Sequence, residues 1–393
     1  MEETYREALR AFLKQEVYPY VEEWEKNRTV PRQVFSALGT QGFFSPCFFP
    51  AHEAGKRRLS LRMSTFRILI EELAKTLCFG LTLTISVHVG VFIPLLLDVA
   101  SEALKAQFVE QAIKGDIIGT VAATESDVAG SDFMSVQCSA IFEPERIVLD
   151  GHKHYITSAA TADYAIVFAR WRPGRHFANF CAVLLPTRAT GVRLSPVEMA
   201  VMKTAAISHL EFHDVELPAS YLLGRKELGM KYFFEHIAVE RLSGGVWATA
   251  VAEQCLMETQ HYAIGRYIGE DTLWQHGATR HRLAQEVIKV KMLQQMVDAT
   301  LLKTDEQGYI DQFASAIIKA ATAQTIETVI STCLQLHGAQ GLETNSTLLR
   351  LLNEFRAFGI AGGSTETMLE LIAQFWAQHT AQVLNTEAQK STS

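Results

Sequence analysis

Apolar positions recur with helical spacing over the first part of the chain. From Tyr5 onward, Leu9, Phe12, Leu13 and Val17 fall on one side of a 3.6-residue repeat, and the same periodicity returns at Phe66 to Leu77 and Leu104 to Ile113. Residues 1–115 therefore read as a mostly helical domain. Between 116 and 225 the pattern changes to short runs, Arg146 to Leu149, Tyr164 to Phe168 and Phe180 to Leu185, separated by Gly, Pro and Asp-Gly signals. A small β-domain is predicted there. Over 226–393 long helical segments resume near Lys231 to Tyr262, Arg280 to Leu302, Ile310 to Leu336 and Thr365 to Gln382, with Gly308, Gly338 and Gly341 where helices stop or start. The order helix, sheet, helix defines an α+β multidomain chain without internal repeats or low-complexity linkers.

One run, Phe79 to Ala100, is long and apolar enough to be tested as a membrane span. It contains Thr82, Thr84, Ser86, His88, Pro94 and Asp98, which an isolated span would have to bury in lipid. A buried helix broken near Pro94 is the expectation, with no membrane span. With 393 residues, 48% of them hydrophobic, the chain can bury a large core. Its net charge of -7 with mixed signs argues against a nucleic-acid partner, which favours a basic face. Six cysteines scattered without a C-x-x-C pair suit a reducing compartment, and the charged N-terminus MEETYREALR lacks the apolar core of a secretory signal, so a cytoplasmic location is expected.

Candidate chemistry concentrates between Val121 and Phe168. Ala129-Gly130-Ser131-Asp132 is a small-residue turn after an apolar strand, where consecutive backbone N–H groups can converge on a phosphate and Ser131 adds a hydroxyl. Thr124 and Thr157 are each expected to end a strand, with their hydroxyls toward the polar edge of a flavin ring and Tyr155 as an aromatic wall. Each feature alone is far more often an ordinary turn or strand end. His88, His152, His154 and His337 lack metal-ligand spacing, so no metal site is expected.

The combination resembles the flavin-binding β-domain of the acyl-CoA dehydrogenase family, whose pattern runs Thr-Glu-Pro-x-x-Gly-Ser-Asp, then Trp-Ile-Thr-Asn, then Ala-Asp and an apolar strand. Here the first motif is Thr124 to Asp132, without the proline and with one residue extra. The second is Tyr155-Ile156-Thr157-Ser158 followed by Ala162-Asp163, with tyrosine in place of the ring-stacking tryptophan. Similar wording follows at Phe212 to Pro218 and Leu223-Gly224. The resemblance implies a helical N-terminal domain, a barrel-like middle domain and a four-helix C-terminal bundle. It also implies bound FAD and a homodimer or homotetramer.

Desaturating a thioester between its α and β carbons requires a base for the α proton and an acceptor for the β hydride, which no side chain can be. In most of the family the base precedes Gly-Thr in a late loop, but here Ile360-Ala361-Gly362-Gly363-Ser364-Thr365 places Gly362 at that position. The isovaleryl- and long-chain-type branches share the small residue and carry the base in a Glu-Arg pair on an earlier helix. Glu240-Arg241, inside HIAVERLSGG, matches that context. The resemblance thus implies Glu240 as base and flavin N5, near Thr157, as hydride acceptor, with Arg241 and Gly362 as substrate contacts. A Glu-Arg pair on a helix is also an ordinary solvated ion pair.

Gln335 with Gly338 and Gly341 resembles the loop whose amides approach the flavin pyrophosphate of a neighbouring subunit. Ser364 and Thr365 fall where family hydroxyls touch the dinucleotide, and Arg266 matches an arginine that crosses the dimer to phosphate. Beyond Arg266 the pattern departs at Ile268-Gly269. The implied partners are an acyl-CoA or acyl-carrier-protein thioester and an electron acceptor such as an electron-transfer flavoprotein. A non-catalytic FAD-binding relative is the reading from another class. The basic cluster Lys56-Arg57-Arg58 with Arg62 is expected to be a solvated loop or a patch facing an acidic carrier or a CoA phosphate.

Overall fold

The computed structural model describes residues 2–53 and 56–391. The chain divides into two compact units, Met1–Val251 and Ala252–Ser393.

The first unit begins with helices α1 (Glu2–Glu16), α2 (Val21–Asn27) and α3 (Arg32–Thr40). The apolar repeat on α1 buries Leu9 and Leu13, and its polar side reaches α4 (Met63–Ala74) through a charged cluster. Buried Glu72 takes Arg6 at 2.5 Å, Arg10 at 2.7 Å and Lys75 at 3.0 Å. Burial alone would raise the Glu72 carboxyl, but Arg10, Lys75 and Arg6 hold it below the usual range. Between α3 and α4 the sequence reading is corrected. A hairpin of β1 (Phe48–Glu53) and β2 (Lys56–Leu61) stands where a solvated loop, or a patch facing an acidic carrier or a CoA phosphate, was expected. Lys56-Arg57-Arg58 lies on its second strand, and the side chains of those three residues lie outside the described residues. Arg62 stacks on Phe49 at 4.9 Å.

The apolar run forms α5 (Phe79–Val87), a π-turn over His88–Phe92 and α6 (Ile93–Val99), with Pro94 in the first turn of α6. Almost all of it is buried, and its polar groups have partners. Thr82 donates to Cys78 O, Thr84 bonds Ser158 at 2.6 Å, and Ser86 bonds Ser243 at 2.7 Å. Asp98 lies 2.8 Å from His236. Gly90 is required in the π-turn, because a Cβ there would come 2.5 Å from the Phe66 ring. Helix α7 (Glu102–Ile113) follows, with Ser101 capping Leu104 N–H.

Strands β3 (Gly119–Ala122), β4 (Ser139–Phe142), β5 (Arg146–Ile156), β6 (Tyr164–Arg170), β7 (Phe180–Pro186), β8 (Val192–Pro196), β9 (Ser208–Pro218) and β10 (Leu222–Leu223) make one eight-stranded sheet. Its order is β10-β7-β6-β4-β5-β9-β8, with β3 parallel to β6, so it is barrel-like but open at β10 and β8. Ile147, Leu149, Val167, Val183, Leu185 and Phe212 fill its core. Asp163, in the Ala-Asp motif, takes Arg32 at 2.6 Å and the Ile118 N–H at 2.8 Å, which ties α3 to the start of β3.

The long helix α8 (Gly229–Gly265) runs from the first unit into the second. In the second unit its C-terminal half joins α9 (Gly277–Gln307), α10 (Gln312–His337) and α12 (Thr365–Ser391) as the expected bundle, after a small hairpin of β11 (Tyr267–Ile268) and β12 (Asp271–Thr272) and with the short α11 (Thr347–Phe355). Lys291 on α9 pairs with Glu253 on α8, Thr332 on α10 reaches Glu286 on α9, and Ala316 and Ala320 pack against Met368 on α12. Gly308 and Gly338 end α9 and α10 with φ of 76° and 59°.

His88 joins α7 to β3. Its Nδ1 accepts the Gly119 N–H at 3.0 Å and its Nε2–H donates to Ala112 O at 3.0 Å, a pairing that requires the neutral ring. Burial pushes its pKa down to about 4. Below the ordinary value of 6.5 the unfolded chain takes up a proton that the folded state refuses, so this part of the stability is lost as pH falls toward 4. Between pH 6.5 and 5 the loss from this group is about 2 kcal/mol. Denaturant unfolding at both pH values should show wild type losing about that much more stability than His88→Gln.

Candidate functional site

The turn predicted from small residues is present. Asp132 N–H donates to Ala129 O at 2.8 Å, which leaves Gly130 and Ser131 exposed at the corner. Thr124 lies just beyond β3, and a Cβ on Gly130 would stand 3.7 Å from Thr124 Cγ2. The loop between them is pinned from below. Glu125 turns inward, accepts the N–H groups of Gln137 and Cys138 at 2.7 and 2.9 Å, and meets Lys153 Nζ at 2.9 Å. Lys153 is 0% exposed and also donates to Ala123 O at 2.8 Å. Arg170 on β6 holds the following segment by donating to Met134 O and Val136 O at 2.7 and 3.0 Å.

Strand β5 supplies the facing wall. Its register against β9 shifts between Lys153 and Ile156, so one extra residue is accommodated at His154-Tyr155. At this bulge His154 N–H donates to Thr124 O at 2.8 Å, and Tyr155 takes φ of 57° and stands 55% exposed. Thr157 follows directly, its carbonyl accepting the Thr120 hydroxyl at 2.6 Å. Thr124, Gly130, Ser131, Tyr155 and Thr157 thus share one edge of the sheet. An open Gly-Ser turn, an outward aromatic ring and two threonines beyond strand ends are chemically suited to a flavin and its phosphates.

Glu240 and Arg241 lie in the N-terminal half of α8. Arg241 is buried, which pushes its guanidinium pKa down against the opposing charge of Glu240. Glu240 is half-buried, and its carbonyl accepts the Ser243 hydroxyl at 2.8 Å. One turn earlier on the same face His236 has Nδ1 at 2.8 Å from Tyr232 O and Nε2 at 2.8 Å from Asp98 Oδ2. Both ring nitrogens face acceptors, an arrangement fully satisfied by the imidazolium.

In the second unit the predicted residues form two groups. Tyr262, one turn before Arg266, stacks on His337 at 4.2 Å, so exposed Arg266 and Gln335 gather with Gly338 at the C-terminal end of α10. Gly341 is buried, and a Cβ there would come 2.9 Å from Leu334 O. Ser364 caps α12 by accepting the Thr367 N–H at 3.2 Å, and Thr365 begins the helix. The loop before them is anchored by Lys319 donating to Phe358 O. Lys319 and Gln335 are 16 residues apart on α10, about 24 Å at the helical rise, so the unit does not bring the two groups together. Gly362 and Gly363 have φ of 68° and 102°, a backbone in which glutamate would be strained.

Two supporting pairs went unrecognised in the sequence. Lys153 had a signal, because a lysine stands where β5 places an inward residue two positions beyond Gly151. His236 had none, since its partner Asp98 is 138 residues away.

The chain matches the family models for the acyl-CoA dehydrogenase N-terminal domain over residues 1–116, the middle domain over 120–215 and the C-terminal domain over 227–376. It is 30% identical to the mitochondrial long-chain specific acyl-CoA dehydrogenase of Rattus norvegicus, over 94% of this chain and 85% of that one. It is 26% identical to an acyl-[acyl-carrier-protein] dehydrogenase of Mycobacterium sp. (strain MCS), over 94% and 92% of the two chains. A glutaryl-CoA dehydrogenase from Mycobacterium smegmatis in complex with FADH2 has the same fold, with a TM-score of 0.84 at 21% identity over 95% of this chain and 94% of that one.

Removing Lys153 alone would strand the Glu125 carboxylate in the sheet. Lys153→Met should cost about 3 to 5 kcal/mol in denaturant unfolding, and adding Glu125→Gln should recover much of that loss. Near-neutral unfolding of the single variant would show that the pair is not what pins the loop.

Proposed function

We infer that this chain, which belongs to the acyl-CoA dehydrogenase family, is an FAD-dependent oxidoreductase that desaturates an acyl thioester between its α and β carbons, with Glu240 as the base. The observation that carries the base assignment is the pair of glycines at 362 and 363, whose positive φ values disfavour a carboxylate-bearing residue. Glu240, half-buried on α8 beside buried Arg241, supplies a carboxylate in the other family context.

The protein's own groups do three things in this reading. Gly130 and Ser131 offer backbone N–H groups and a hydroxyl to phosphate, Tyr155 gives a flat apolar face, and Thr124 and Thr157 offer hydroxyls at the ring's polar edge. Glu240 takes the α proton, made acidic by the adjacent thioester carbonyl, and Arg241 contacts the substrate. Bound FAD supplies the acceptor for the β hydride. Arg266, Gln335 and Gly338, gathered at the C-terminal end of α10 apart from the Ser364-Thr365 group, serve the cofactor of a neighbouring subunit.

A second subunit is supported by exposed apolar faces. Val287, Ile288, Met292 and Leu302 emerge on α9, and Leu369 and Trp376 emerge seven residues apart on α12. Such stripes on bundle helices are suited to burial against another copy, as a dimer or tetramer. The six cysteines are all free and buried, which accords with a cytoplasmic setting. Coenzyme A is the first candidate carrier, and an electron-transfer flavoprotein the first candidate acceptor. Likeness to an acyl-carrier-protein dehydrogenase supports carrier-bound phosphopantetheine as the second reading. Turnover of one acyl group on both carriers separates the two.

Glu240→Gln should leave FAD bound while slowing anaerobic substrate bleaching of the flavin by about 10²- to 10⁴-fold, and a loss of only twofold would remove Glu240 from the role. Light scattering with flavin absorbance should find FAD only in dimers or larger species. A fully loaded monomer would refute the shared cofactor site.

A further inference from the structure

The outer face of β5 and β9 carries a histidine cluster directly behind the Tyr155 bulge. His154 Nδ1 and His209 Nδ1 are 2.7 Å apart, and the Tyr155 ring stands edge-on to His154 with centroids 4.2 Å apart. His209 Nε2 lies 3.3 Å from Glu211 Oε1. Beside them His152 Nε2 contacts Ser126 Oγ at 3.1 Å and Asp127 Oδ2 at 3.6 Å, and its ring lies 5.6 Å from that of His209. Among the described residues, His213 on β9 and Arg193 on β8 also face this cluster, 3.6 and 3.5 Å from Glu211.

We propose that His154 and His209 are positioning residues that form a proton-sensitive clamp, holding Tyr155 and the Thr124–Asp132 loop in the geometry that grips the flavin. This rests on the reading that Tyr155 lies against the ring. Both motif departures meet at the clamp. Ser126 and Asp127 belong to the loop that lacks proline and carries an extra residue, and Tyr155 replaces the usual tryptophan.

The proton count sets the direction. Two facing Nδ1 atoms at 2.7 Å share one proton and cannot both carry one. With one proton between them the contact holds, whether His209 is neutral or is an imidazolium beside Glu211. Once His209 is the imidazolium, a further proton on His154 places two N–H groups head to head and breaks it. Burial, with the charges of His209 and His152, holds the His154 pKa below its ordinary value of 6.5, while Asp127 opposes that shift. The clamp is therefore closed at neutral pH and opens on acidification below 6.5. Its opening frees the His154 ring from His209 and with it the support under Tyr155.

The test uses the FAD-loaded protein, wild type and His209→Asn. An asparagine amide can donate to His154 Nδ1 or, turned over, accept from it, so the contact survives without a second titrating ring. FAD release, followed by the fluorescence of free flavin, should accelerate in wild type as pH falls toward the His154 titration, by up to about tenfold per pH unit, level off below it, and stay nearly constant in the variant. Ring resonances of 13C-labelled histidine, assigned with a His154→Gln variant, report the clamp independently of flavin release. In wild type His154 should titrate below the ordinary histidine range and move upward in His209→Asn. An ordinary His154 titration in wild type, unchanged in the variant, overturns the clamp. A coupled titration with FAD release equally pH-independent in both proteins overturns instead the placement of the flavin at Tyr155.

Discussion

A buried apolar rod has to satisfy every polar group it takes into the core, and in the first unit α5–α6 does this by reaching the elements that carry the candidate residues. Thr84 bonds Ser158, the neighbour of Thr157, and Ser86 bonds Ser243, one turn beyond Glu240. His88 holds α7 and the first residue of β3, and Asp98 meets His236 one turn before Glu240. An unpartnered polar group at these depths would cost about 1 to 3 kcal/mol, so each contact also fixes the depth and rotation of its partner. The Thr157 strand end and the N-terminal half of α8 are thereby referenced to the same rod.

The sheet imposes a comparable constraint at the Thr124–Asp132 loop. A lysine and a glutamate without solvent contact are tolerated only when their remaining hydrogen-bonding capacity is used. Glu125 spends its capacity on the Gln137 and Cys138 amides, and Lys153 donates to the Ala123 carbonyl. The pair therefore fixes a loop whose outer residues, Gly130 and Ser131, have to remain open. One side of this loop is set by a buried charge pair and the other by the β5 bulge.

The second unit is organised by length. A 26-residue helix, α10, carries the Lys319 anchor near one end and the Gln335–Gly338 cap at the other. Each end places a glycine loop beside a helix terminus. Residues that resemble one dinucleotide site in sequence are thus separated along a single long element.

Much of this was legible in the chain, because periodicity and turn residues act locally. The helical repeats on α1, α9 and α10, the Gly130-Ser131 turn, and the glycine caps at 308 and 338 appear where spacing and backbone freedom require them. The Glu-Arg pair and the loss of a carboxylate at Gly362 could also be read from residue types in order. The β1–β2 hairpin could not, since its second strand is rich in Lys and Arg and its pairing is a property of two strands together. Nor could the partners of Lys153, His236 and His154, which are 28, 138 and 55 residues distant. The sequence by itself determined which segments become helix, strand and turn, and which residue types are available for chemistry. Only the tertiary structure decided which of those polar groups would be buried together, because desolvation and hydrogen-bond pairing depend on distance in space and not along the chain.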